Sequence, residues 1–119
     1  MEFLNKIELR GVVGRADVTT FASGQVCNFS VVTEYSTVDR DKNPLTDVMW
    51  FNVSAWSGRD GIPDLYSIQK GSWVEVTGRL RSRRYTTQDG EERVSTDVLA
   101  KRVSVLQKED ELMQPQRDW

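Results

Sequence analysis

Apolar and polar residues alternate along most of the chain with a period of two, which is typical of half-buried β-strands. In the first such segment Ile7 and Leu9 fall on one side, whereas Glu8 and Arg10 fall on the other. The alternation predicts five strands, over residues 5–15, 26–37, 47–56, 72–85 and 92–106.

Turn-forming residues separate these segments. Residues 39–44 and 88–90 are rich in Asp, Asn, Gly and Pro, which favour tight turns. One short helix is expected between the third and fourth strands. Pro63 suits its first turn, and Leu65 and Ile68 give it one apolar face.

Five strands with one short helix between the third and fourth match the plan of the OB-fold. This all-β fold is a five-stranded Greek-key barrel with a surface that commonly binds oligonucleotides. Other small barrels share the pattern. At 119 residues the chain is long enough for one domain. We expect that domain over residues 1–106, followed by a short acidic tail over residues 107–119.

The composition argues against an enzyme. Histidine is absent, which removes the commonest general base and the commonest zinc ligand. The carboxylates Asp89, Glu91 and Glu92 fall on a predicted turn and are interpreted as solvated. Cys27 is a single thiol in an apolar stretch, so we predict a small buried core residue. The sequence therefore predicts no catalytic residue, metal site or cofactor.

Charge and hydropathy bear on the setting of the protein. The net charge of −2 argues against nucleic-acid binding through bulk basicity. One segment is nevertheless basic, with Arg79, Arg81, Arg83 and Arg84 in six residues. No apolar run approaches the roughly 20 residues that span a bilayer, and the N-terminus does not look like a signal peptide. We expect a cytoplasmic protein without membrane contact.

The third predicted strand carries the clearest binding signal. Its core face has three apolar residues, Phe51, Val53 and Ala55. The opposite face places Trp50 and Trp56 on either side of the polar residues Asn52 and Ser54. Tryptophan faces stack on any base, which favours a single-strand-binding surface. The alternative is that both tryptophans pack under a loop or against another subunit, where aromatic residues are also enriched.

The fourth strand gives a second signal. Arg79, Arg81, Arg83 and Tyr85 are spaced by two and share one face if no bulge intervenes. Three guanidinium groups with an aromatic ring beyond them indicate a phosphate-binding track that ends in a stacking group. The alternative is a solvated edge strand whose arginines discourage aggregation. Arg84 points to the other side of an ideal strand, although a twisted hairpin could bring it to the groove.

Two further aromatic residues are weaker candidates. Tyr35 lies near the end of the second strand, where stacking on a base competes with core or loop packing. Trp73 follows the predicted helix directly, and we expect it to pack in the fold or contact a subunit.

Several of these segments, taken together, resemble the bacterial single-stranded DNA-binding proteins. Residues 5–15 look like the opening strand of that family, and residues 70–72 and 95–98 match further motifs. Residues 76–85 are the most distinctive match. The resemblance covers residues 5–106.

The resemblance assigns roles to individual residues. It implies base stacking by Trp50, Trp56 and Tyr85. A fourth aromatic position of the family falls on Thr37, and Tyr35, two residues earlier, is a candidate replacement. The basic contacts of the family map onto Lys6, Lys70, Arg81, Arg83 and Arg84.

The resemblance also implies partners: single-stranded DNA, further copies of the chain in a homotetramer or a dimer, and proteins of replication, repair and recombination. Such proteins are nucleoid-associated. Their recruitment would involve an acidic tail, here ending in Asp118 and Trp119 but shorter than is usual in the family. Two alternatives remain: a primosomal replication-restart protein, and an OB-fold protein-interaction module with Trp50 and Trp56 as hot spots.

Overall fold

Five long β-strands dominate residues 1–106, the part of the chain that the computed structural model describes. They form a closed barrel with the order β1-β2-β3-β5-β4, which confirms the predicted five-stranded OB-fold. The strands are β1 (Ile7–Phe21), β2 (Gly24–Val38), β3 (Pro44–Trp56), β4 (Trp73–Thr86) and β5 (Glu92–Val105).

A short parallel contact closes the barrel. β3 and β5 pair only at Val53–Val98 and Ser54–Leu99, whereas the other strand pairs are antiparallel. Beyond the barrel, β2 with β3 and β4 with β5 continue as two exposed hairpins. They are here called the β2–β3 arm (residues 34–49) and the β4–β5 arm (residues 79–96).

The barrel interior is built mainly from valine, which suits a pleated and buried surface. Its fully buried members come from all five strands: Val13, Cys27, Val31, Ala55, Val53, Val74, Val76 and Val98. Cys27 is 0% exposed, as predicted for a core residue. Burial, together with the smaller effect of the nearby charge of Asp17, raises the pKa of its thiol to about 11.

β1 is longer than the alternation predicted. It continues to Phe21 and pairs with β2 down to Gly24 through a tight turn. A register shift between Val13 and Arg15 bends the strand at the barrel corner. Gly11 is required there, because a Cβ atom would lie 2.0 Å from the carbonyl oxygen of Val32.

The predicted short helix is a single 3-10 turn, Leu65–Ser67. The amides of Ser67 and Ile68 donate to the carbonyl oxygens three residues earlier, at 3.0 and 3.2 Å. Spacing by three places Leu65 and Ile68 on the same side, and both are buried. Ile68 is already extended, with ψ of 100°, because one turn suffices to bury these two side chains.

Both predicted tight turns are confirmed. Asp39 accepts hydrogen bonds from the amides of Asp41 and Asn43 at 2.9 and 2.8 Å. In the β4–β5 turn, Gly90 has a positive φ of 83°. Within residues 1–106, no helix has the length and apolar character needed to cross a membrane.

Candidate nucleic-acid interface

Trp50 and Trp56 lie on the outer face of the barrel. β2 and β3 pair without a bulge, so Trp50 stands beside Val32, and Trp56 beside Val26. The intervening Val53 and Ala55 point inward, as the alternation of β3 predicted. Trp50 is 57% exposed and Trp56 is half-buried, so both rings are accessible to a ligand.

The ring of Trp50 rests on the β1 bulge. A Cβ atom on Gly14 would lie 2.4 Å from Cζ3 of Trp50 and 3.1 Å from the hydroxyl of Ser30. The absence of a side chain at Gly14 therefore lets the indole lie across β2 and reach β1. This support fixes one side of the ring and leaves the rest exposed.

Trp56 packs beside Phe21, a residue with no role predicted from the sequence. The ring centroids are 6.0 Å apart with an angle of 37° between the planes, within the range of favourable aromatic pairs. Phe21 remained unnoticed because β1 was expected to end at residue 15. A groove of about 320 Å³ opens beside this pair and is lined by Phe21, Ser23, Val26, Asn28, Ser54, Trp56 and Arg83.

The basic residues of β4 continue the same face. No bulge interrupts β4 and β5 between Arg79 and Tyr85, so the predicted spacing places these arginines and Tyr85 on one side. Leu99 pairs with Arg79 on β4 and with Ser54 on β3, which joins the arginine face to the tryptophan face. Tyr85 is 49% exposed at the far end of the β4–β5 arm.

Arg81 differs from the other arginines of this face. Its Nε and Nη2 atoms donate to the two carboxylate oxygens of Asp97 at 3.0 and 3.1 Å. Nη2 also lies 3.5 Å from the hydroxyl of Ser54, which donates to Asn28 at 2.8 Å. Arg83 is 3.9 Å from Asp97 and is more exposed than Arg81. Arg81 is thus engaged within the protein, whereas Arg83 is available to a ligand.

Two predicted residues point away from this face. In the continuous β2–β3 register, Tyr35 has the parity of the inward-facing Val31, opposite to Trp50. Tyr35 is 71% exposed, so it does not pack in the core either. Arg84 pairs with Val94 and falls on the reverse side of the β4–β5 arm, as expected for an untwisted strand. Thr37, at the aromatic position of the family, pairs with Leu45 near the arm tip.

The predicted lysines lie apart from the tryptophans. Lys6 precedes β1 and forms an ion pair with Glu8 at 3.2 Å. Lys70 is exposed beside the 3-10 turn, where it lines a concavity with Tyr66 and Gln69. The tail residues Asp118 and Trp119 lie outside the described residues.

Trp73 begins β4 and is half-buried. It pairs with Val12 of β1, which in turn pairs with Val32 of β2. Trp73 is thus partly covered by its own fold and partly exposed, and its two predicted roles, packing in the fold and contact with a subunit, stay predictions.

The three carboxylates of the β4–β5 turn are exposed to solvent. Glu91 and Glu92 are exposed at the β4–β5 turn, and Glu91 pairs with Arg93 at 3.1 Å. Asp89 is exposed as well, which agrees with the interpretation of a solvated turn. Within residues 1–106, no group of three or more His, Cys, Asp or Glu side chains could hold a metal ion.

Comparison with known proteins agrees with this geometry. The sequence profile of the Single-strand binding protein family matches residues 4–106. A single-stranded DNA-binding protein of Neisseria meningitidis serogroup A is 35% identical over 105 residues, covering 87% of this chain. The chain spans 60% of the length of that relative. Single-stranded DNA-binding protein 1 of Xylella fastidiosa is 32% identical over 114 residues, which cover 93% of this chain and 83% of the relative.

Solved structures share the fold. A Plasmodium falciparum SSB in complex with single-stranded DNA superposes with a TM-score of 0.72 and 23% sequence identity, over 90% of this chain and 98% of that one. A deletion mutant of the Thermus aquaticus single-stranded DNA-binding protein also has a TM-score of 0.72, with 20% identity over 88% of this chain and 51% of that one.

Proposed function

The chain belongs to the single-strand binding protein family, and on that premise we propose that it binds and protects single-stranded DNA during replication, recombination and repair. The observation that carries the proposal is the continuous outer face from the two tryptophans of β3 to the arginines and Tyr85 of β4. Binding is stoichiometric and largely independent of sequence, because each base offers a π-face.

Stacking supplies the preference for single strands. Trp50, Trp56 and Tyr85 expose ring surface on one face of the protein. In a duplex the faces of the bases are covered by neighbouring base pairs, so they cannot stack on these rings. Phe21 widens the surface at Trp56, because the two rings form one aromatic wall of the groove. Stacking contributes about 1–3 kcal/mol per base.

The arginines supply the electrostatic part. Arg83 lines the groove beside Trp56, and Arg79 is exposed on the same face. In this proposal both contact phosphates of the bound strand. Arg81 acts indirectly: by holding Asp97, it keeps that carboxylate from repelling the strand. Affinity therefore decreases with salt through Arg79 and Arg83, while the stacking contribution persists.

The assembly and cellular setting are part of the same proposal. A homotetramer, as the family resemblance implies, would let one strand contact several subunits and gain effective concentration. The half-buried row of Trp73, Val12 and Val32, which crosses the outer side of β4, β1 and β2, supports a subunit contact. We place the protein in the bacterial cytoplasm, with recruitment of replication and repair proteins assigned to residues 107–119.

Replacing both tryptophans tests the proposal. Trp50→Ala with Trp56→Ala should weaken binding to a labelled oligo(dT) by about 2–6 kcal/mol per engaged subunit, as measured by fluorescence anisotropy. The double phenylalanine variant keeps two aromatic faces and is expected to retain most of the affinity. Unchanged binding by the alanine variant would refute the proposal and favour a protein-interaction surface instead.

A further inference from the structure

Another concavity, rich in positive charge, lies between the segment before β1, the loop after β3 and the strands β4 and β5. Its volume is about 620 Å³. Five cationic side chains and one carboxylate line it: Lys6, Arg59, Arg79, Lys101, Arg102 and Asp60. This excess of positive charge contrasts with the net charge of −2 of the whole chain.

Four of these five cations form no ion pair with the residues that the structure describes. Among residues 1–106, ion pairs within 4.0 Å involve only Lys6 of the five, through Glu8. Exposed side chains are found at the other four positions, which form no ion pair within the described residues: Arg59, Arg79, Lys101 and Arg102. Like charges gathered in one concavity repel one another and attract an anion.

Local backbone structure assembles the concavity. Thr77 pairs with Arg102 and Gly78 with Ala100, so Lys101 is an extra, unpaired residue in β5. The loop after β3 is fixed beside this bulge, because the amide of Val103 donates to the carbonyl oxygen of Gly61 at 2.9 Å. That hydrogen bond keeps the loop carrying Arg59 next to Lys101.

The concavity adjoins the proposed DNA-binding face. Leu99 lines it and also pairs with Ser54, which lines the groove beside Trp56. Arg79 lines it too and stands two residues, about 7 Å, from Arg81 on the same side of β4. A strand leaving the tryptophan face along β4 would therefore enter the concavity without crossing another element.

We propose that this concavity binds consecutive backbone phosphates of the same single strand. Each subunit would then hold a stacked segment on the tryptophan face and a second segment by charge alone. None of the residues that line the concavity is aromatic, so bases in the second segment would remain unstacked. The inference rests on the proposed function and adds to it the path of the bound strand over the protein.

A two-residue variant tests the path. Lys101→Gln with Arg102→Gln removes two cations, and Arg40→Gln with Lys42→Gln is the matched control. The control residues lie at the tip of the β2–β3 arm, about 20 Å along the strands from Trp50. Binding to oligo(dT) of about 5 and about 15 nucleotides, lengths within the range that one OB-fold occupies, is measured by anisotropy over a salt series.

The expected result depends on oligonucleotide length. Each phosphate contact contributes about 0.7 to the slope of log affinity against log salt for a single strand. With the long oligonucleotide, the slope should therefore flatten by about 1.4 in the Lys101 and Arg102 variant. The short oligonucleotide occupies only the tryptophan face, so it should bind this variant as tightly as it binds the wild type. The control should keep both slopes.

Three results would overturn the inference: unchanged binding of the long oligonucleotide, equal weakening of both lengths, or an equal effect of the control. Chemical unfolding of each variant checks that the fold is retained. The alanine variant at Trp50 and Trp56 separates this inference from the proposed function. If the alanine variant loses oligo(dT) binding and the Lys101 and Arg102 variant binds as the wild type does, only the inference of a second bound segment would be refuted.

Discussion

At the scale of single residues, neighbouring arginines on one strand have different roles. The side chain of Arg81 is 20% exposed and donates two hydrogen bonds to Asp97. The side chain of Arg83 is 55% exposed, and its Nε atom lies 3.9 Å from the same carboxylate. A carboxylate and a phosphate offer similar oxygen pairs to a guanidinium group. Asp97 therefore occupies the position on Arg81 that a phosphate would take.

Asp97→Asn should free Arg81 for the strand. We expect higher affinity for oligo(dT) and a salt slope steeper by about 0.7, the contribution of one phosphate contact. Stability should decrease by about 1–3 kcal/mol, because a charged hydrogen-bond acceptor is lost. Anisotropy titrations over a salt series and urea unfolding measure the two effects.

Glu75→Gln is the matched control for that variant. Glu75 pairs with Arg10 at 2.7 Å on another part of the barrel, so its replacement changes the net charge equally. The control should leave the salt slope unchanged. An equal steepening in both variants would mean that the effect comes from net charge and not from Arg81.

The buried thiol predicts a pH dependence of stability. Burial raises the pKa of Cys27 from 9.0 to about 11 in the folded protein. Between these values the unfolded chain loses the thiol proton while the folded chain keeps it, so stability falls as pH rises. The loss is on the order of 2–3 kcal/mol by pH 11. Urea unfolding between pH 8 and 11 should show this decrease in the wild type relative to Cys27→Ala. Parallel pH profiles of the two proteins would contradict it.

At the scale of elements, regular alternation is what made the sequence informative. β3 pairs with β2 without a bulge, so a period of two correctly placed Trp50 and Trp56 outside and Val53 and Ala55 inside. Where the backbone departs from regular strand or helix geometry, the predictions from the sequence were wrong. The bulge at Gly14 let β1 continue to Phe21, and tertiary packing of two apolar residues reduced the expected helix to one 3-10 turn.

Strand faces predict different roles for two tyrosines. Tyr85 shares the face of the β4 arginines, whereas Tyr35 lies on the side of β2 opposite to Trp50. Tyr85→Ala should weaken oligo(dT) binding by about 1–3 kcal/mol, the value of one stacked base. Tyr35→Ala should have less effect than Tyr85→Ala in the same anisotropy assay. A larger loss from Tyr35→Ala would show that the strand follows the reverse side of the β2–β3 arm.

At the scale of the whole molecule, strand pairing brings together residues that are distant in sequence. The basic concavity combines residues 6, 59, 79, 101 and 102, and the ion pair of Arg81 requires β4 and β5 to be in register. Neither arrangement has a local sequence pattern, so neither could be predicted from alternation or spacing. The shared outer side of Trp50 and Trp56 could be predicted, because its pattern lies within one regular strand.

Although the net charge of the chain is −2, its folded surface has a region of concentrated positive charge. Four cations that form no ion pair within residues 1–106 line the concavity beside the arginine face of β4: Arg59, Arg79, Lys101 and Arg102. Local potential matters more for binding than the total charge. Association should therefore be salt-dependent despite the net charge of −2.

The most direct test of the central claim is intrinsic tryptophan fluorescence during titration with oligo(dT), at low and high salt, with duplex DNA as control. Stacking on Trp50 and Trp56 predicts strong quenching by the single strand alone, part of which persists at high salt. Quenching should be largely lost when both residues are replaced by phenylalanine, even though binding persists. Absence of quenching by single strands at every salt concentration, or equal quenching by duplex, would contradict the account.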